Sequence, residues 1–138
     1  MRSMLRLLLA ALFLGAGAMH LVRPRGFERI VPAGLPAPEL LVAVSGVAEL
    51  LGGAALLVPP VRRAGGIGLI ALLVAVFPAN VNMALHAEQL GSGLPDWALW
   101  ARLPLQPALV AAVWIAAVRT PVDAHRRIRT RVGGSSRR

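Results

Sequence analysis

The chain has 138 residues, 57% hydrophobic and only 15% charged, with mean hydropathy +0.67, 15 Arg, no Lys, no Cys and a net charge of +9. A soluble domain carries roughly 25% charged residues, so there is too little charge here to cover a soluble globule, and the high hydrophobicity excludes intrinsic disorder. The absence of Cys excludes disulfides, thiolate metal sites and thiol redox chemistry by the chain itself.

A transmembrane helix needs about 20 mainly apolar residues, and four segments approach or reach that length. The first span covers about residues 4–22, where Leu7 to Val22 is free of formal charge. Arg2 and Arg6 ahead of Ala16-Gly17-Ala18 also fit a secretory signal peptide, but the apolar run continues to Val22 with no polar stretch. A loop from Arg23 to about Pro38 follows, with Pro24, Pro32, Pro36 and Pro38 opposing continued helix. Phe27, Ile30 and Val31 suit a loop lying in the membrane interface. The second span, about 39–60, contains one charge, Glu49. Pro59-Pro60-Val61-Arg62-Arg63 then forms a tight turn.

The third span, about 64–86, contains Pro78, which removes one helical hydrogen bond, frees the Val74 carbonyl and predicts a kink. A second loop, Ala87 to Ala101, holds Gly91, Gly93 and Pro95, with Trp97 and Trp100 in an interfacial aromatic belt. The fourth span, about 103–119, is bounded by Arg102 and Arg119, and Pro104 and Pro107 fall in its predicted first turn. Trp114 suits the opposite belt. Residues 121–138 read as a basic, disordered tail behind a transmembrane domain of residues 1–120.

The expected fold is therefore all-α, a bundle of four transmembrane helices. Four spans place both ends on one side of the membrane. That side collects 11 of the 15 Arg, the other only Arg23, Arg25, Arg29 and Arg102. The positive-inside rule makes both termini cytoplasmic, in a plasma (bacterial inner) membrane. Small residues predict close helix packing: Ala11, Gly15 and Ala18 on the first span, Ser45, Gly46, Gly52 and Gly53 on the second, and an Ala71-Ala75-Ala79 ridge after Gly65, Gly66 and Gly68 on the third. One such face could also serve a homo-oligomer. Arg119, Arg126, Arg127, Arg129 and Arg131 are basic groups for the membrane surface. The tail has no aromatic residue for base stacking, so anionic lipid rather than nucleic acid is the expected partner.

Glu49 lies about 13.5 Å along its span, near the midplane of a hydrocarbon core about 30 Å thick. A central acid costs roughly 2.5–3.5 kcal/mol on insertion scales, so it needs a partner or a retained proton. Ser45 is one turn away. His20, Asn80, Asn82, His86, Arg102 and Gln106 all fall toward the outer half of their spans. His20, Ser45, Glu49, Asn80, Asn82, Arg102 and Gln106 thus make a candidate polar pocket, with Pro78 as the kink that aims Asn80. Interhelical hydrogen bonding is the plainer role for Asn80, Asn82 and Gln106, and headgroup anchoring for His20 and Arg102. For Glu49 structural and functional roles weigh equally. His20 and His86 are too few to predict a metal site.

From about Phe13 to Trp114 the chain resembles the DoxX-like family of small four-helix membrane proteins. The resemblance rests on Gly17-Ala18-Met19-His20 with Pro24 and Phe27, Ile30-Val31-Pro32 with Leu35-Pro36, and Ser45-Gly46-Val47-Ala48-Glu49-Leu50. It continues through Phe77-Pro78-Ala79-Asn80 with Met83, and Arg102-Leu103-Pro104-Leu105-Gln106. It implies kinship with subunits associated with thiosulfate:quinone oxidoreductase, with oxidative-stress complexes and with membrane chaperones. Relatives that rely on cysteine are not matched in that respect, since this chain has none. The expected function is an accessory membrane subunit, without catalytic residues of its own, whose pocket holds a quinone-like or other lipophilic ligand beside a partner oxidoreductase. The alternatives are a scaffold or chaperone for membrane proteins, and a dimeric proton-coupled carrier using Glu49.

Overall fold

A computed structural model describes residues 1–90 and 95–119. Arg126, Arg127, Arg129 and Arg131, which carry most of the expected surface-binding charge, lie outside the described residues. The described chain is helical, with no strand. Its elements are α1 (Arg2–Val22), α2 (Pro24–Glu28), α3 (Pro38–Leu57), α4 (Arg62–Leu85), α5 (Ala87–Leu90) and α6 (Asp96–Val113), the last continuing as one wide π-helical turn, Trp114–Val118. Four helices are long and apolar enough to cross a membrane: Arg2–Val22, Pro38–Leu57, Arg62–Leu85 and Asp96–Val118.

Three spans fall within a few residues of their predicted positions. The fourth begins at Asp96, not near Leu103. The prediction stopped at Arg102 because that residue is charged, whereas the helix runs through it and holds the guanidinium among side chains. Asp96 in the first turn suits the positive end of the helix dipole. Pro104 and Pro107 are consequently interior residues, not helix starters. They leave the carbonyls of Trp100 and Leu103 without their usual donors, an arrangement membrane helices tolerate when neighbours compensate. Trp97 and Trp100 stand exposed in the first turns of this helix rather than in a loop, and Trp114 is exposed toward its far end. The loop after α1 also contains helix. Pro24 opens the turn of α2, where its fixed φ and missing N–H cost nothing.

Neighbouring spans run antiparallel in the order α1, α3, α4, α6. Contacts between α1 and the π turn close the ring. Leu9, Ala10 and Phe13 of α1, Leu56 of α3, Leu69 and Leu73 of α4, and Val113 and Ala116 after α6 form one buried apolar cluster. The beginning of α1 and the end of the fourth span therefore share one end of the bundle.

Close approach depends on particular glycines. A Cβ on Gly17 would lie 2.6 Å from the Gly46 carbonyl oxygen, and one on Gly46 would lie 2.8 Å from the His20 Cβ. Added carbons on Gly52 and Gly66 would strike Leu69 and Ala117. Lipid tails offer no hydrophobic drive between helices, so this intimacy of contact is what holds them together. Ala11, Gly15 and Ala18 instead face outward, and nothing lies within 4 Å of a Cβ placed on Gly15. The Ala71-Ala75-Ala79 ridge is also outside the tight packing: Ala71 and Ala75 are exposed, while Ala75 and Ala79 border a cleft.

Candidate functional site

Next to the apolar cluster, with which it shares Phe13 and Leu73, the four spans border a cleft of about 420 Å³, covered by the segment from Phe27 to Leu35. Most of the lining is apolar, from Leu12 and Phe13 of α1 to Leu105 and Leu109 of α6. Six of the seven predicted pocket residues border it: His20, Ser45, Glu49, Asn80, Arg102 and Gln106. The structure brings these six together and leaves Asn82 out.

One wall is built by the α1–α3 crossing. His20 lies one turn beyond Gly17 and Glu49 one turn beyond Gly46, so the two glycines that let the backbones touch also bring these side chains face to face. His20 Nδ1 lies 2.9 Å from the Ala16 carbonyl oxygen and 3.1 Å from Glu49 Oε2. The one nitrogen thus faces two acceptors. Glu49 Oε2 is fully enclosed and faces His20 Nδ1. Glu49 as a whole is 9% exposed. Ser45, one turn from Glu49, lines the same cleft. Phe27 of α2 stacks on the imidazole, with centroids 3.8 Å apart and planes inclined by 23°, and holds the ring against α3.

The other wall is a hydrogen-bonded chain between α4 and α6. Arg102 Nη2 donates to Asn80 Oδ1 at 3.3 Å, and Asn80 Nδ2 donates to Gln106 Oε1 at 2.9 Å. Gln106 Nε2 donates to the carbonyl of Leu73. Arg102 Nη1 points at the Met83 sulfur, 3.8 Å away. Gln106 is 5% exposed, so each of its groups needs such a partner. Its acceptor, the Leu73 carbonyl, is adjacent to that of Val74, which loses its donor because Pro78 has no N–H. The interior Pro78, Pro104 and Pro107 thus sit in the same region as the polar side chains.

Asn82 does not join the pocket. Its Nδ2 donates to the Ile30 carbonyl at 3.0 Å and fastens the covering segment to α4. Successive helical positions turn by 100°, so Asn80 and Asn82 point about 200° apart and cannot share a face. Arg102, read as a headgroup anchor in its plainer role, is instead turned in toward Asn80. Phe27, Met83 and the Leu73 carbonyl were missed by sequence reasoning. Phe27 had a signal there, as an aromatic in a proline-rich loop seven residues, about two helical turns, beyond His20. His86 is exposed, its Nδ1 3.1 Å from the Asn82 carbonyl. With Glu88, Asp96 and Trp100 it borders a smaller cleft of about 240 Å³. Among the described residues no three His, Asp or Glu side chains converge as metal ligands would.

Residues 9–117 match the family described as domain of unknown function DUF8561. The chain belongs to this family. No curated protein and no solved structure matches it. The DUF8561 match contains every residue that borders the larger cleft, from Leu12 to Leu109, together with the buried apolar cluster from Leu9 to Ala116. The match therefore reaches into all four long helices.

Proposed function

We propose that this DUF8561 protein is a multi-pass plasma-membrane protein, both termini cytoplasmic, that serves as an accessory subunit and holds a quinone-like or other lipophilic ligand in the cleft between its spans. The observation that carries the reading is the cleft itself. It is about 420 Å³, mainly apolar, and bordered by a few convergent polar groups, which is the character of small-molecule sites. An ionisable residue at membrane depth facing such a cavity is a functional candidate by default, and Glu49 meets that description. The DUF8561 assignment carries no activity. The DoxX-like resemblance supports the reading through His20, Glu49, Asn80, Arg102 and Gln106, five residues that all border the cleft. The cytoplasmic side is assigned from the Arg distribution, which favours the end where α1 begins and the fourth span finishes.

In this reading the α3 side of the cleft recognises the ligand's polar end, and Arg102 supplies positive charge at the α6 side. Leu12, Phe13 and Leu109 receive its apolar part. The test is titration of the detergent-purified chain with a short-chain quinone, followed by quenching of tryptophan fluorescence. Saturable binding that weakens at least tenfold in Glu49→Ala is the expected result. No binding, or equal binding by the variant, overturns the proposal.

A further inference from the structure

Arg102 is the permanent cation on the lining of the cleft, and its partners are neutral. Nη2 donates to Asn80 Oδ1 at 3.3 Å, and Nη1 points at the Met83 sulfur 3.8 Å away. Among the described residues no carboxylate lies within 4 Å of the guanidinium. The acid that borders the cleft, Glu49, is turned to His20 on the α1–α3 wall. Each terminal guanidinium nitrogen carries two N–H groups, so one on each remains after these contacts. A charged side chain within a membrane span is costly, and it pairs with an opposite charge or faces a cavity. Arg102 faces the cavity.

The apolar lining extends from this charge in one direction. Arg102, Leu105, Gln106 and Leu109 all border the cleft, and their spacing of three and four residues puts them on one stripe of α6. Arg102 lies six residues after Asp96, about 9 Å into the helix, and Leu109 lies at about 19–20 Å. The charge is therefore nearer the end of the span, and the leucines descend from it toward Phe13 and Leu73, where the cleft meets the buried apolar cluster. The Gln106 amide is already committed to Asn80 and the Leu73 carbonyl, so it makes no further demand on a ligand. A cation at the mouth of an apolar stripe matches an amphiphile, head at Arg102 and chain along Leu105 and Leu109. The volume of about 420 Å³ falls in the range of sites for one small molecule, about 300–1,000 Å³, and suits a single alkyl chain rather than a two-chain lipid.

We infer that the cleft selects single-chain amphiphiles with an anionic head, long-chain carboxylates above all, whose oxygens accept from the Arg102 guanidinium while the chain lies along Leu105 and Leu109. This rests on the proposal that the cleft binds a lipophilic ligand, and it adds the charge of the head group. Guanidinium and carboxylate are both planar and pair through two parallel charge-assisted hydrogen bonds. A neutral carbonyl can accept from the same N–H groups but leaves the positive charge uncompensated. An ammonium head would place a second cation beside the first, in a medium where like charges are poorly screened.

The experiment titrates the full chain in non-ionic detergent with three probes of equal alkyl length: an alkyl carboxylate, its methyl ester and an alkyltrimethylammonium. Calorimetry follows binding at a pH where the carboxylate is ionised, and affinities are referred to probe concentration in the micelle, which removes differences in partitioning. The carboxylate is expected to bind the wild-type chain at least tenfold more tightly than the ester. That preference is expected to fall below threefold in Arg102→Gln, whose amide can still donate to Asn80, while Arg102→Lys, which keeps the charge without the planar fork, retains part of it. The wild-type comparison needs no variant, so a misfolded substitution cannot decide the matter. Carboxylate and ester binding within threefold of each other overturns this inference but leaves the lipophilic site standing. Tighter binding of the ammonium overturns it in favour of a cation site. Displacement of the carboxylate by an equal micellar concentration of a two-chain anionic phospholipid also overturns it, since Arg102 then serves bilayer headgroups. Failure of all three probes to bind overturns the ligand-site reading as well.

Discussion

The two ends of the bundle are built from the same four helices and differ in almost every other respect. At the end where α1 begins, Leu9, Phe13, Leu56, Leu69 and Val113 close on one another, all at most 4% exposed. At the other end His20, Glu49, Asn80, Arg102 and Gln106 border a cleft instead. The sequence explains the contrast locally. The packed end pairs Gly52 and Gly66 with Leu69 and Ala117, so backbones approach and side chains fill the space. The cleft end places Pro78, Pro104 and Pro107 inside α4 and α6, so the carbonyls of Val74, Trp100 and Leu103 lose their usual donors in the region where Asn80 and Gln106 join the two helices. The α1–α3 pair stays tight into the cleft region, through Gly17 and Gly46, and this is where Glu49 faces His20. One end contributes cohesion, and the other gives up cohesion for polar surface inside the membrane.

Substitutions can break this comparison in graded steps. The largest effect is expected from Gly17→Val. Its added carbons collide with the Gly46 carbonyl and the Glu49 side chain, so α1 and α3 must part. Thermal unfolding in detergent, followed by circular dichroism, should show a loss of about 2–3 kcal/mol. Gly15→Val on the lipid-facing side of the same helix meets nothing within 4 Å and should unfold within about 0.5 kcal/mol of wild type. Leu56→Ala, at a fully buried position of the packed end, should cost about 2 kcal/mol through lost contacts while leaving ligand affinity unchanged within about twofold. At the cleft end, Gln106→Leu removes the partner of both Asn80 and the Leu73 carbonyl and should cost about 1–2 kcal/mol. The smallest effect is a gain. Ala37, between Pro36 and Pro38, has φ 50° and ψ 62°, a left-handed conformation that a side chain disfavours. Ala37→Gly should raise stability by about 0.5–1 kcal/mol, measured the same way.

The packed end and the spans were legible because they depend on runs of apolar residues and on small residues at helical spacing. Even so, the outward stripe of Ala11, Gly15 and Ala18 has the same composition as the inward contacts of Gly17 and Gly46. A small residue signals that approach is possible without saying on which face it occurs. Depth along a span located six of the cleft residues, since helical rise converts sequence position into height. Rotation about the axis was the missing coordinate. It separates Asn82 from Asn80, and the 200° between them was available from the spacing alone. Arg102 misled for a different reason. A charge reads as the end of a membrane span, but this guanidinium is turned inward to Asn80, and that partner is contributed by another helix.

The most direct test of this division is one titration of wild type, Glu49→Leu and Leu56→Ala with the same short-chain quinone, run beside thermal unfolding of each. If the ends have separate tasks, Leu56→Ala loses stability and binds within twofold of wild type, while Glu49→Leu loses at least tenfold in affinity without a matching loss of stability. Affinity that falls in proportion to stability in both variants, or that is unchanged in Glu49→Leu, would contradict the account.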